Sequence, residues 1–131
     1  MSFPIDQQFV AETEKNLGAT FPASYSASMR EHNGGSVRTG SEEWRLYAIF
    51  DTSDKKRLKR TCNDVIRETK SAANRTGFPE DAVAIGANGC GDQLIFLRED
   101  DRLGPEVFWW DHETGTVHKV ADDFGELPKG G

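Results

Sequence analysis

The sequence predicts an α+β fold: a single domain with a mainly antiparallel sheet of about six strands, two N-terminal helices and one central helix packed around it. Three observations lead there. The N-terminal stretch carries two apolar stripes at helical spacing, and the stretch after Thr61 carries a third. From Ala82 onward the chain reads as strands, and the short links between them favour antiparallel pairing. At 131 residues the chain can bury one core without staples, and no linker, repeat or low-complexity tract divides it, so residues 1–131 read as one domain.

The first helix runs from Pro4 or Asp6 to Asn16. Proline suits a first helical turn, where its missing N–H would be unpaired anyway. Ile5, Phe9, Thr13 and Leu17 recur every four residues, Val10 widens the stripe, and Gly18 stops it. A second helix begins at Phe21-Pro22, sets Tyr25 and Met29 on one face, and ends at Asn33-Gly34-Gly35, residues that accept positive φ. A strand is expected over Ser36–Thr39, then a polar tip Gly40-Ser-Glu-Glu43, then a strand over Trp44–Phe50 with both faces partly covered. Asp51–Arg60 is a charged segment with room for a short helical turn. Thr61 is placed as the N-cap of the central helix, whose Cys62, Val65, Ile66, Thr69 and Ala73 fall at i, i+3, i+4, i+7 and i+11. Gly77 stops that helix and Pro79 blocks its continuation. Ala82–Ala87 reads as an apolar strand ending in Asn-Gly-Cys-Gly. Gln93–Leu97 is apolar on both faces and therefore central. Arg98–Gly104 is an acidic hairpin loop, Glu106–His112 and Thr116–Val120 flank Thr114-Gly115 as a hairpin, and Asp122–Leu127 reads as a terminal helical turn.

Composition narrows the function. Net charge is −6 and unevenly spread. Residues 51–75 hold eight Lys or Arg against Asp51, Asp54, Asp64 and Glu68, whereas residues 80–127 hold twelve Asp or Glu against Arg98, Arg102 and Lys119. The acidic half repels phosphates, which argues against a direct nucleic-acid partner there, and would steer a basic protein instead. The basic run Lys55–Arg60 lacks interleaved aromatic residues and reads as a solvated helix start. No apolar run reaches a membrane span, and the N-terminus has no secretion-signal pattern, so a cytoplasmic protein with no membrane partner is expected. Cys62 and Cys90 have no CxxC partners, so two free thiols are expected rather than a disulfide or zinc site.

Several constellations bear on chemistry. If Thr114-Gly115 is a two-residue turn, Asp111 faces His118, His112 faces Val117 and Glu113 faces Thr116. Asp111 and His118 then form a possible acid/base pair, though a cross-strand charge pair is the preferred reading because no third member is evident. The histidines point opposite ways and His32 sits far off, so no metal site is expected. Cys90, between two glycines and beside Asp92, reads first as part of a tight turn in which Asp92 caps amides, and second as a nucleophile awaiting a base. Gly86–Gly91 lacks the spacing of a phosphate loop. Trp44, Trp109 and Trp110 each read first as core residues; the last two, being consecutive on a strand, point to opposite faces, and an exposed tryptophan ringed by acid would make a binding anchor.

Leu17-Gly18, Phe21-Pro22, Tyr25 and Asn33-Gly34-Gly35 resemble the amino-terminal signature of the SUKH superfamily, named for a yeast cell-wall synthesis regulator and its relatives. Trp44-Arg-Leu-Tyr47, Ile85-Gly86 with Asn88-Gly89-Cys90-Gly91-Asp92, Val107–Glu113, and Val120–Phe124 resemble its later motifs in order. Phe21-Pro22 stands where Leu-Pro is commoner in that family. The resemblance implies an α+β domain in a family not known for catalysis, and no cofactor is expected. It also implies that Gly34, Gly35, Gly86, Gly91, Asp92 and Trp110 are architectural. Bacterial members are commonly immunity proteins that bind and block a toxin, often a nuclease or deaminase, and fungal relatives act as interaction hubs.

The expected function is therefore a non-enzymatic immunity protein that neutralises a cognate, basic toxin. Candidate contacts are Glu42, Glu43 and Trp44 on one tip, Glu99, Asp100 and Asp101 on a second, and Asp111, His112 and Glu113 on a third. A small hydrolase using Cys90 or the Asp111/His118 pair is the alternative, and a regulatory adaptor is a third reading.

Overall fold

The computed structural model describes residues 4–53, 55–61 and 63–129, and leaves the side chains of Arg57 and Arg60 undescribed. Its architecture is the α+β one expected. The elements run α1 (Gln7–Leu17), α2 (Ala23–Glu31), β1 (Ser36–Thr39), β2 (Glu42–Leu46), α3 (Lys55–Arg60), α4 (Val65–Ala73), β3 (Ala82–Ala87), β4 (Gln93–Glu99), β5 (Arg102–Leu103), β6 (Val107–Trp110), β7 (Val117–Ala121) and a 3-10 turn at Phe124–Glu126. Six strands form a curled antiparallel sheet in the order β1-β2-β3-β4-β6-β7, and the short β5 pairs with the far end of β4.

The strand pattern explains the core. Leu94 and Phe96 of β4 point to one face, where they meet Phe9 and Val10 of α1, Tyr25 and Met29 of α2, Trp44, Ile85 and Phe124. Ile95 points the other way, into a smaller cluster with Ala82 and Trp110, edged by Phe78, Leu97, Phe108 and Val117. The central strand is thus buried on both faces, as its unbroken apolar run requires. Tyr25 joins the helix layer to the sheet, its ring edge-on to Phe96 and Phe124 at 5.2 and 5.0 Å.

Helix ends follow capping chemistry. Gly18 closes α1 at φ 72, and Arg98 from β4 reaches back to donate to the Gly18 and Leu17 carbonyls at 2.9 and 2.5 Å, a cation at a helix C-terminus. Past α2, Gly34 and Gly35 take φ 113 and 85, and the buried Asn33 side chain brackets Ile49: its amide donates to the Ile49 carbonyl at 2.8 Å and its oxygen accepts the Ile49 N–H at 2.7 Å.

The central helix begins later than expected. Asp64, not Thr61, is its N-cap, accepting the Arg67 N–H at 3.0 Å. Thr61 instead accepts the Asp51 N–H. Val65 and Ala72 are the buried positions and Ala73 is exposed, so the stripe is rotated from the one read in sequence; Cys62 lies outside the described residues. Thr69 uses its hydroxyl on β3, accepting the Ala84 N–H at 2.9 Å, because β2 pairs only with the Gly86–Ala87 end of that strand.

Candidate functional site

β2 starts, β3 ends, β4 starts and β6 ends at one end of the sheet, so Glu42, Asn88–Asp92 and Asp111–Glu113 are brought together there. The link between β3 and β4 is a turn organised by Asn88. Its side-chain oxygen accepts the Cys90 and Asp92 N–H groups at 2.9 and 3.1 Å, and its amide donates to Glu42 Oε1 at 2.8 Å. Asn88 therefore performs the turn-capping role that the sequence suggested for Asp92. Gly91 sits at φ 98, and a Cβ there would lie 3.3 Å from both Arg75 and the His112 ring.

Asp92 reaches across to β6. Its Oδ1 accepts the His112 backbone N–H at 3.0 Å and lies 2.5 Å from His112 Nδ1, while Oδ2 accepts the Trp109 indole N–H at 3.0 Å. Burial alone would push the Asp92 carboxyl up. The His112 side-chain and backbone bonds, with those of Trp109 and Asn88, more than reverse this and hold it down at about 2. Asp92 is thus a buried anion fixed by three elements.

Beneath it lies a second layer. Arg75, just past α4, donates to the Gly91 carbonyl at 2.9 Å and stacks over Trp110 at 5.0 Å. Trp110 donates to the Gly77 carbonyl at 2.9 Å and meets Phe78 edge-on. Trp109, on the opposite face, packs edge-on against Trp44 at 4.8 Å. The two consecutive tryptophans do point opposite ways, as strand alternation requires.

Several sequence expectations are corrected here. The β6–β7 hairpin has a four-residue loop, His112–Gly115, closed by bonds from Asp111 N to Thr116 O and from Gly115 N to Asp111 O, rather than a two-residue turn. Asp111 Oδ1 caps the Glu113 and Thr114 N–H groups, and Gly115 adopts φ 76. His118 consequently sits opposite Trp109, with the rings 5.3 Å apart, and the Asp111/His118 pair does not form. The Asp–His pair that does form, Asp92–His112, was missed because its members are twenty residues apart and its geometry depends on that loop length.

Trp44 is fully buried and is not a surface anchor; its indole donates to Thr39. Glu42 and Glu43 belong to β2, opposite Thr39 and Arg38, rather than to the tip. The alternation of Glu43, Trp44, Arg45 and Leu46 is the sequence signal that places Trp44 inward. Glu99, Asp100 and Asp101 are exposed but lie at the opposite end of β4, where Glu99 folds over Gly104 and the Asp101 carbonyl accepts the Thr20 N–H.

At Gly86 a Cβ would stand 2.9 Å from the Arg45 carbonyl oxygen, so the backbones of β2 and β3 approach closely there. Asp92, Asp111 and His112 are close enough to share an ion, with ligand atoms within 4.8 Å. However, Asp92 Oδ1 and Asp111 Oδ1 already accept backbone N–H groups and His112 Nδ1 already faces Asp92. Cys90 is exposed, and it forms no hydrogen bond with His112.

Comparison with curated proteins gives no match. The family model described as SMI1 / KNR4 family (SUKH-1) matches residues 4–128. That span takes in every motif on which the resemblance rests, from Leu17-Gly18 to Phe124, and the chain belongs to the SMI1 / KNR4 family (SUKH-1).

Proposed function

We propose that this protein is a non-enzymatic, protein-binding immunity factor that occludes a basic toxin domain of the nuclease or deaminase class. The observation that carries the reading is the gathering of Glu42, Asp111 and Glu113 around the Asn88–Asp92 turn at one end of the sheet, with Glu43 exposed next to Glu42 on β2. These carboxylates ride on backbone tied by Asn88, Asp92 and Asp111. Binding them would need little further ordering, which favours tight association. Their charge would speed encounter with a cationic surface. Family membership supports protein interaction as the general role.

The test is affinity capture from native lysate, with a high-salt wash and mass spectrometry, followed by assay of the captured partner's nuclease or deaminase activity with and without this protein. One stoichiometric partner whose activity is suppressed supports the proposal. Several weak partners would favour an adaptor. The hydrolase reading has a separate check: Cys90 alkylating no faster than free cysteine at neutral pH removes it.

A further inference from the structure

After β2 the chain leaves the sheet and returns at α4 through a closed loop. Its ends meet at the buried residues Asp51 and Thr61, where the Asp51 N–H donates to Thr61 Oγ1 at 2.9 Å. The Ser53 N–H donates to Asp51 Oδ1 at 2.9 Å, tightening the entry. A segment of this length with clasped ends is an Ω-loop, the kind of surface loop that often carries function.

The clasp holds out α3, and five of the six residues from Lys55 to Arg60 are Lys or Arg. Lys55, Lys56, Leu58 and Lys59 are all exposed. Among the described residues, the exposed large apolar side chains are Phe50, at 39%, and Leu58, at 42%. Phe50 lies at the root of this loop and Leu58 within its helix. Strong positive charge and exposed apolar surface therefore coincide on one short segment of an otherwise acidic chain.

We infer that this loop attaches the protein peripherally to an anionic lipid surface, with Lys55, Lys56 and Lys59 at the head groups and Leu58 and Phe50 dipping into the interfacial region. Clusters of this size on a helix are attracted to acidic lipids, each cation contributing independently. The apolar side chains add burial that phosphate contacts alone would not reward. A protein partner is the poorer fit. Stable protein interfaces engage about 20–30 residues a side with matched shapes, whereas a bilayer needs no shape match. The local balance is positive, since residues 51–75 hold eight Lys or Arg against four Asp or Glu, and charges more than about 8 Å apart are largely screened at physiological salt. No helix among the described residues is long and apolar enough to cross a membrane, and loop attachment requires none. This inference uses a different surface from the proposed toxin contact and stands or falls apart from it.

The test is co-sedimentation of the full chain with phosphatidylcholine vesicles, with and without phosphatidylserine, at low and high salt. Binding only to the phosphatidylserine vesicles, weakened by salt, is expected. The combined Lys55→Gln, Lys56→Gln, Lys59→Gln variant should lower partitioning roughly a hundredfold. Leu58→Ser should lower it several-fold. These side chains are exposed, and unchanged circular dichroism would verify the fold. Equal binding to both vesicle types, full binding by the triple variant, or no effect of Leu58→Ser would each overturn the inference. Binding of a short DNA duplex as tightly as vesicles would overturn it in favour of a nucleic-acid surface.

Discussion

Protonating Asp92 removes an acceptor shared by the β3–β4 turn, Trp109 and the β6–β7 hairpin. Its carboxyl titrates at about 2 in the folded protein against an ordinary 3.8, so the unfolded chain takes up the proton first as pH falls. The stabilisation is full above the ordinary value and is lost as pH drops from about 4 towards 2, amounting to about 2 kcal/mol. Asp92→Asn should therefore unfold more easily at neutral pH by about 2 kcal/mol and lose most of that acid dependence, as read by denaturant titrations across the pH range. The two glycines nearby make a contrasting pair. Gly91→Ala meets a strained φ and crowds Arg75 and His112, whereas Gly86→Ala drives a methyl against a backbone carbonyl that cannot swing aside. Each should lower stability by about 1–3 kcal/mol in chemical denaturation. The sequence showed that these residues are constrained, since a glycine-dense turn leading into a buried strand has few conformations. It did not show which partners constrain them. Arg75 and His112 come from distant parts of the chain, and nothing local to Gly91 announces them.

At the level of elements, α1 and α2 were legible because each carries its own period and its own stop, and β3 and β4 because each is an unbroken apolar run bounded by turn residues. β2 was harder. Read as Trp44–Phe50, it mixes a true strand with a following segment whose buried Ile49 is held by Asn33 rather than by strand pairing. A side chain acting as a strand partner leaves no periodic trace. Asn33→Ala should consequently cost about 2–3 kcal/mol, more than a surface cap, because both polar groups of Ile49 lose their partner in a buried place. Asp64→Ala should cost about 1 kcal/mol, with fraying confined to the start of α4 and visible as faster amide exchange there. The β6–β7 hairpin was misread by two residues because Thr-Gly suits either a two-residue turn or the end of a longer loop. Asp111 decides between them by capping the amides that follow it.

Across the whole molecule, the three candidate acidic groups fall into two sets at opposite ends of β4. The split makes the proposed toxin contact specific. Reversing Glu42, Glu43 and Glu113 to Lys should slow association with the captured partner by about tenfold or more and flatten its salt dependence, while reversing Glu99, Asp100 and Asp101 should leave both nearly unchanged, as stopped-flow kinetics would show. Sequence alone could locate the charge but not its distribution in space, which depends on the strand order.

The outermost strand β1 pairs with β2 on one side. On its other side the Arg38 N–H donates to the Pro128 carbonyl at 2.8 Å, and Val37 forms a bridge with Lys129. A partner for this edge thus emerges from the ribosome some ninety residues after the strand itself. Until then a growing chain carries an open template for pairing with its neighbours, the situation in which nascent proteins cross-associate on polysomes or recruit holding chaperones. Pro128 and Lys129 thus close an edge that the earlier strands leave open during synthesis.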